Sequence, residues 1–396
     1  MRILALISDY PSPPTDGVRV RNYYLWPALQ ALGVEVKALG LATPPGDGGE
    51  AGAGAPGIAS EFYRRDRQTW PARAWNAARY SYHQWPRSRA LAARVDAVAA
   101  QWQPHVIHAE TLRMGYYLPC ARGRQAAAIQ SLTLHNVESE LQRKMGSSPV
   151  KFGRGVVNRL HQGALRRYEK KLARLADLVF AYSALDLERY RALYPGARWA
   201  LTQNGANARG IRPAPQVREA KLLFIGSLAW QPNRQGLLWL VEQVLPRLPG
   251  VALSVAGGGA GDELRRRLEA AGVAYLGRPA DLTPIYAAHA VCVAPLFAGG
   301  GTRTKILEAC AHERMVVSTR LGAEGLELSP GNEGVVLAED AESFARALKH
   351  WLAEIERRAE LARRGREAVL QRYDWAVAAA GLLHQWQALV ESRVRA

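Results

Sequence analysis

The chain has 396 residues and a formal net charge of +17 at pH 7, a length beyond one typical hydrophobic core that suits two domains. No apolar run approaches the ~20 residues that span a bilayer. The three cysteines, Cys120, Cys292 and Cys310, are odd in number and lack metal-ligand spacing; this argues against a disulfide framework or a zinc site and suits a reducing cytoplasm.

From the N-terminus, the apolar run 2–8 is stopped by Asp9 and reads as a first strand, not a signal peptide. The loop after it, DYPSPPTDGVRVRNY, contains Gly17, Arg19 and Arg21 but no G-x-G-x-x-G, which argues against a dinucleotide. Further strand-like runs at 34–39, 106–109, 131–134, 178–182 and 200–203 alternate with helical patterns, the rhythm of a parallel α/β sheet. Between them, 47–58 is a low-complexity loop, and His135-Asn136 directly follows a strand. Residues 1–210 hold 29 Lys and Arg against 15 Asp and Glu, whereas 211–396 hold 23 against 20. Much of this excess lies in 62–89, where arginines alternate with Trp70, Trp75 and Trp85, and in the helical stretch 154–174. Such a mixture suits an interfacial membrane segment, a nucleic acid or a plain solvated basic face.

After Asn204-Gly205 a weakly patterned, Pro-containing stretch leads to a second series of strand-like runs at 221–225, 252–256, 274–276, 291–294, 315–318 and 334–336. The economical reading is α/β: two doubly wound Rossmann-like domains, 1–207 and 218–375, facing each other across a cleft. Residues 376–396 form a C-terminal helix that packs back on the first domain. In such sheets ligands bind outside the carboxyl ends of the strands.

The most informative stretch is 299–308, where Gly299, Gly300, Gly301, Thr302, Arg303, Lys305 and Glu308 lie between a buried strand and a helix. The glycines let backbone N–H groups approach an anion, and Thr302 or Thr304 caps the helix in this reading. Two cations in a first helical turn oppose the helix dipole, which a bound phosphate would offset. Glu308, one turn in, adds an acceptor for hydroxyl groups, so a nucleotide sugar fits both demands. The plainer alternative is a surface pair of Lys305 with Glu308 on an ordinary α/β turn.

Taken together, these motifs resemble glycosyltransferases of the GT-B fold, family 4 (group 1), over almost the whole chain. FIGSLAWQPNRQGLLWL, with Gly226, Ser227 and Asn233, is similar to the family's phosphate loop, LGRPADLTPIYAAH, with Gly277 and Arg278, to its nucleobase loop, and GGGTRTKILEACA to its donor-binding helix. Asn204-Gly205 looks like its hinge turn. The resemblance implies metal-independent, retaining transfer, hexosyltransferase-like, from a UDP- or GDP-linked sugar, with no further cofactor. It makes His135, Arg303 and Lys305 catalytic, and Gly17, Arg19, Arg21 and Asn136 acceptor-binding. Two departures stand out. Gly300 occupies the place of the first carboxylate of the E-x7-E pair, leaving the sugar's identity open. Ser227 and Asn233 stand where relatives carry the diphosphate cations, a duty that passes to Arg303 and Lys305.

The implied partners are a nucleotide-sugar donor and a saccharide or lipid-linked acceptor in cell-surface polysaccharide or glycoconjugate synthesis, with no nucleic acid. The implied location is cytoplasmic, peripheral on the inner membrane face through the basic N-terminal lobe. A sugar-nucleotide epimerase of similar fold and a basic protein that binds anionic polymers are the competing classes.

Overall fold

Five of the six residues of Arg2–Ile7 are fully buried, as a parallel strand covered on both faces requires. This strand, β1, lies inside the first of two sheets in a computed structural model that describes residues 1–14, 16–42, 53–66, 88–121, 127–135, 155–298 and 303–395.

The first sheet adds β2 (Glu35–Ala42), β3 (Ala59–Arg64), β4 (Val106–Ala109), β5 (Ile129–Leu134), β6 (Leu178–Ala181) and β7 (Trp199–Leu201), in the order β3-β2-β1-β4-β5-β6-β7. All its pairs are parallel. Its described helices are α1 (Gly17–Ala31), α2 (Arg89–Trp102), α3 (Gly155–Leu175) and α4 (Ala184–Leu193). Strand β3 was not among the sequence expectations. It is an edge strand, exposed or half-buried at every position, so ASEFYR carries little apolar pattern.

The second sheet comprises β8 (Lys221–Ile225), β9 (Ala252–Ala256), β10 (Ala274–Tyr275), β11 (Val291–Ala294), β12 (Val316–Ser318) and β13 (Val335–Leu337), ordered β10-β9-β8-β11-β12-β13. Helices α5 (Gln231–Trp239), α6 (Asp262–Ala270), α7 (Thr283–Ala287), α8 (Thr304–Ala311), α9 (Ala341–Ala353) and α10 (Ile355–Arg372) accompany it, and α11 (Trp375–Arg395) follows in the chain. Each sheet reverses its winding once, between β1 and β4 and between β8 and β11, and these switch points are where parallel sheets open a crevice for ligands.

The chain divides into residues 1–203 with 378–396, and residues 204–377. Most of α11 therefore counts with the first unit, where Trp386 is fully buried and donates to Ser131 Oγ at 3.0 Å. The Pro-containing stretch after Asn204 is laced into the second unit by arginines. Buried Arg314 donates to the carbonyls of Ala214 (3.1 Å) and Pro215 (2.9 Å), Arg358 to that of Val217, and Arg366 to those of Ala208 (3.0 Å) and Ile211 (2.9 Å). No described helix is long and apolar enough to cross a membrane.

Candidate functional site

In the second unit, the carboxyl ends of β8, β9 and β10 are drawn together by glycines. Gly226 follows β8 and Gly257 follows β9; a methyl group on Gly257 would collide with the Gly226 carbonyl. Gly257 N–H in turn donates to the Gly277 carbonyl at 2.6 Å, and Gly277 sits at φ +66°. Arg278 is exposed beside Gly258.

Above this floor, Lys305 Nζ donates to Asn233 Oδ1 at 2.7 Å, and Asn233 Nδ2 donates to the Ser227 carbonyl at 2.9 Å. A methyl on Gly226 would meet Asn233 Nδ2 at 2.6 Å and Lys305 Nζ at 3.0 Å, so Gly226 leaves the ammonium its room. The Phe224 ring lies 5.0 Å from the same nitrogen. Burial, and then the charge of Arg303, lowers Lys305 to about 7. Glu308, one turn on, meets the Tyr286 hydroxyl at 3.3 Å, and burial raises its carboxyl to about 7. Tyr286 itself is buried and stacked on His312 at 4.2 Å.

The cap of α8 differs from the sequence expectation. Arg303 is the N-cap and makes no side-chain capping bond, while Thr304 is already helical; Arg303 Nη2 donates instead to the Leu321 carbonyl at 3.2 Å. Thr302, Gly299, Gly300 and Gly301 lie outside the described residues, as do Asn136 and most of 62–89.

In the first unit, the carboxyl ends of β1, β4 and β5 open on a cavity of ≈ 320 Å³ lined by Asp9, Arg19, Arg113 and His135 among others. Asp16 caps α1 by accepting from the Val18 and Arg19 amides, both at 3.1 Å, which fixes the turn that carries Gly17 and Arg19. Arg19 pairs with Asp9 at 2.7 Å. Arg21, two residues further round the helix, does not line this cavity. Its guanidinium is fully buried, donating to Glu110 Oε1 at 2.7 Å, the Gln203 carbonyl at 3.0 Å and Thr202 Oγ1 at 3.2 Å.

His135 follows β5, as its position after a strand suggests, and its Nε2 lies 2.9 Å from the Glu110 carbonyl and 2.8 Å from the Tyr182 hydroxyl. Glu110, Tyr182 and Tyr286 were not among the expected site residues. The available signal was positional: Glu110 directly follows β4 and Tyr182 directly follows β6, the same strand-end placement that singled out His135. Among the described residues no cluster of His, Cys, Asp or Glu has the arrangement of a metal site.

Residues 16–205 match the glycosyl transferase 4-like domain, and residues 219–354 match glycosyl transferases group 1. The chain belongs to this glycosyltransferase family. Phosphatidyl-myo-inositol mannosyltransferase of Mycolicibacterium smegmatis is 29% identical over 276 residues, 66% of this chain and 68% of that protein. An uncharacterized 44.6 kDa protein in the cps region of Klebsiella pneumoniae is 28% identical over 170 residues. That alignment takes in 40% of this chain and spans less than half, 44%, of the relative.

Among solved structures, sucrose-phosphate synthase from Thermosynechococcus elongatus superposes with a TM-score of 0.75 at 20% identity, covering 99% of this chain and all of that one. Anabaena HepE, solved in complex with UDP, gives 0.67 at 17% identity over 98% of this chain and 100% of its own. These likenesses establish the GT-B fold. In this glycosyltransferase the Gly226, Asn233 and Lys305 cluster and the His135 cavity each sit at the winding reversal of a sheet, where the fold leaves strand ends uncovered.

Proposed function

We propose that the chain transfers a glycosyl group, with retention, from a UDP- or GDP-linked sugar to an acceptor hydroxyl in the synthesis of cell-surface polysaccharide or glycoconjugate. The observation that carries this reading is Lys305 held by Asn233 over the Gly226 turn, at the start of a helix whose N-cap is another cation. As the glycosidic bond breaks, charge grows on the β-phosphate. Lys305, Arg303 and the N-terminal amides of α8 are preorganised donors for it, and we propose that they act without a divalent metal. Gly299 to Thr302 would complete that cradle through backbone N–H groups, Glu308 would accept from the ribose hydroxyls, and the turn at Gly226, Ser227, Gly277 and Arg278 would hold the nucleotide.

On the acceptor side, His135, Gly17, Arg19 and Asn136 would surround the saccharide or lipid-linked hydroxyl. Arg21 is left out of this set because its donors are consumed by Glu110, Thr202 and Gln203. Support for the donor class comes from HepE, solved with UDP and with UDP-glucose; support for the pathway comes from the relative in the cps region.

The test is a nucleotide-release assay against a panel of sugar nucleotides, with and without EDTA, beside titration calorimetry with UDP, GDP and ADP. Release that depends on acceptor, with one nucleotide bound and no effect of EDTA, is the expected result. No binding to any of the three would overturn the donor assignment.

A further inference from the structure

Behind His135 lies a buried polar chain whose hydrogen-bond directions can be followed from end to end. It begins at Trp386 Nε1, which can only donate and reaches Ser131 Oγ at 3.0 Å. Ser131 Oγ lies 2.8 Å from His108 Nδ1, and His108 Nε2 lies 3.1 Å from Glu110 Oε2 and 3.0 Å from Thr133 Oγ1. The other carboxylate oxygen, Glu110 Oε1, takes Arg21 Nε at 2.7 Å and the Tyr182 hydroxyl at 2.9 Å. Arg21, His108 and Glu110 are all fully buried. Burial alone would raise the Glu110 carboxyl, yet the charge of Arg21 and the hydrogen bonds from His108 and His135 hold it well below the usual carboxylate range. Burial lowers His108 and raises Tyr182.

An ionised Glu110 only accepts, so His108 donates Nε2–H to it and accepts a hydrogen bond from the Ser131 hydroxyl at Nδ1, and the Tyr182 hydroxyl donates a hydrogen bond to Oε1. The Tyr182 oxygen is then an acceptor toward His135 Nε2. The second group at that nitrogen, the Glu110 backbone carbonyl, is an acceptor by nature. Both neighbours demand a proton on Nε2. A neutral His135 is therefore the Nε2–H tautomer, its Nδ1 carries the lone pair, and His135 is among the residues that line the cavity.

We propose that Glu110 and Tyr182 are positioning residues that fix His135 in this tautomer, so that Nδ1 accepts a hydrogen bond from a substrate hydroxyl in the cavity. The inference rests on the glycosyl-transfer reading for its substrate, a polyhydroxylated sugar, and it makes neutral His135 an orienter of a hydroxyl, not a proton donor to the leaving diphosphate.

The tautomer is read on the free protein by imidazole 15N NMR, with His135→Asn as the assignment control. A pyridine-type Nδ1 with a protonated Nε2 is expected; a pyridine-type Nε2 overturns the proposal whatever the chain transfers. Failure of the sugar reading shows separately, in the nucleotide-release assay. Tyr182→Phe keeps the ring and removes the acceptor. Its Nε2 proton should exchange with water at least tenfold faster, and kcat should fall about tenfold with the donor KM within twofold. Unchanged exchange would remove Tyr182 from the assignment, and a rise in donor KM with constant kcat would overturn the positioning role.

Discussion

Asn233 binds Lys305 through its side-chain oxygen, at 2.7 Å, and the Ser227 carbonyl through its side-chain nitrogen, at 2.9 Å. A residue of α5 thus anchors a cation supplied by the first turn of α8. Losing the Lys305 ammonium should cost about 3–4 kcal/mol in the transition state, by analogy with oxyanion donors. Lys305→Ala is expected to lower kcat by two to three orders of magnitude with a retained thermal transition. Asn233→Ala, which leaves the charge but frees it, should cost about 1 kcal/mol, or five- to tenfold. Steady-state kinetics on both variants would check the order; equal losses would mean that Asn233 does more than hold Lys305.

A group lowered to about 7 makes nucleotide affinity depend on pH. The diphosphate requires the protonated amine, so binding takes up a proton above pH 7 and none well below it. Glu308, raised to about 7, titrates in the same range, and Glu308→Gln removes that second contribution. In this background the nucleotide Kd should be flat below pH 6 and rise toward tenfold per pH unit above 7. Adding Lys305→Met should abolish the rise. Calorimetry from pH 5.5 to 9 makes the comparison.

Glu308 also carries a stability cost. Its folded value lies above the ordinary carboxyl value of 4.5, so the folded state is penalised as pH rises from 4.5 through 7 and fully so above it. Glu308→Gln should therefore stabilise the free protein at pH 8, by on the order of 1–2 kcal/mol, and converge with the parent near pH 4. Thermal melts at both pH values read this directly. Weaker nucleotide binding by the same variant would place Glu308 among groups whose strain serves function.

Helix α3 turns Arg166, Arg167, Lys170, Lys171 and Arg174 outward while burying Leu165, Tyr168 and Leu172. A face of this kind would meet an anionic leaflet at about 1 kcal/mol per cation. Replacing Lys170, Lys171 and Arg174 with Gln should lower co-sedimentation with anionic liposomes at least tenfold and leave neutral liposomes unaffected. Equal binding of the parent protein to both would end the electrostatic argument.

Two glycines should respond in opposite ways to alanine. Gly381 is exposed inside α11 and an added methyl meets nothing within 4 Å, so Gly381→Ala should stabilise by about 0.5–1 kcal/mol. Gly236, on α5, faces the Pro295 carbonyl so closely that a methyl would overlap its oxygen. Gly236→Ala should destabilise by roughly 3 kcal/mol or more, since the backbone must move. Denaturant titration of both gives the contrast.

How much of this was legible in the sequence follows from what each residue has to do. Runs such as RILALI and VCVA read as central strands because they are apolar but for Arg2, too short for a buried helix and bounded by turns. Edge strand β3 escaped because half-exposed ASEFYR needs no such pattern. The cations of 299–308 stood out because they are costly at a helix start. Pairings were not legible in the same way: Asn233 and Lys305 were both named but lie 72 residues apart, and Arg21 lies 89 residues from Glu110. Their meaning comes from strand order, which places the ends of β8 and β11, or of β1 and β4, side by side. The cap of α8 was misassigned to threonine on propensity alone, which takes no account of Arg303 reaching the Leu321 carbonyl.

The arginine lacing of 206–217 decides where this protein can be cut. Composition invites a donor-domain fragment that begins after the Pro-containing stretch, near residue 218. Such a fragment would strip Arg314, Arg358 and Arg366 of the carbonyls of Ala208, Ile211, Ala214, Pro215 and Val217. Each guanidinium keeps other acceptors, such as the Tyr286 carbonyl for Arg314, the Trp351 carbonyl for Arg358 and the Ala311 carbonyl for Arg366, but the N–H groups aimed at the lost segment would go unpaired, at about 1–3 kcal/mol each where they stay buried. A fragment beginning at Asn204 retains every one of those oxygens, and a protease that prefers unstructured tethers should find little purchase between 205 and 217.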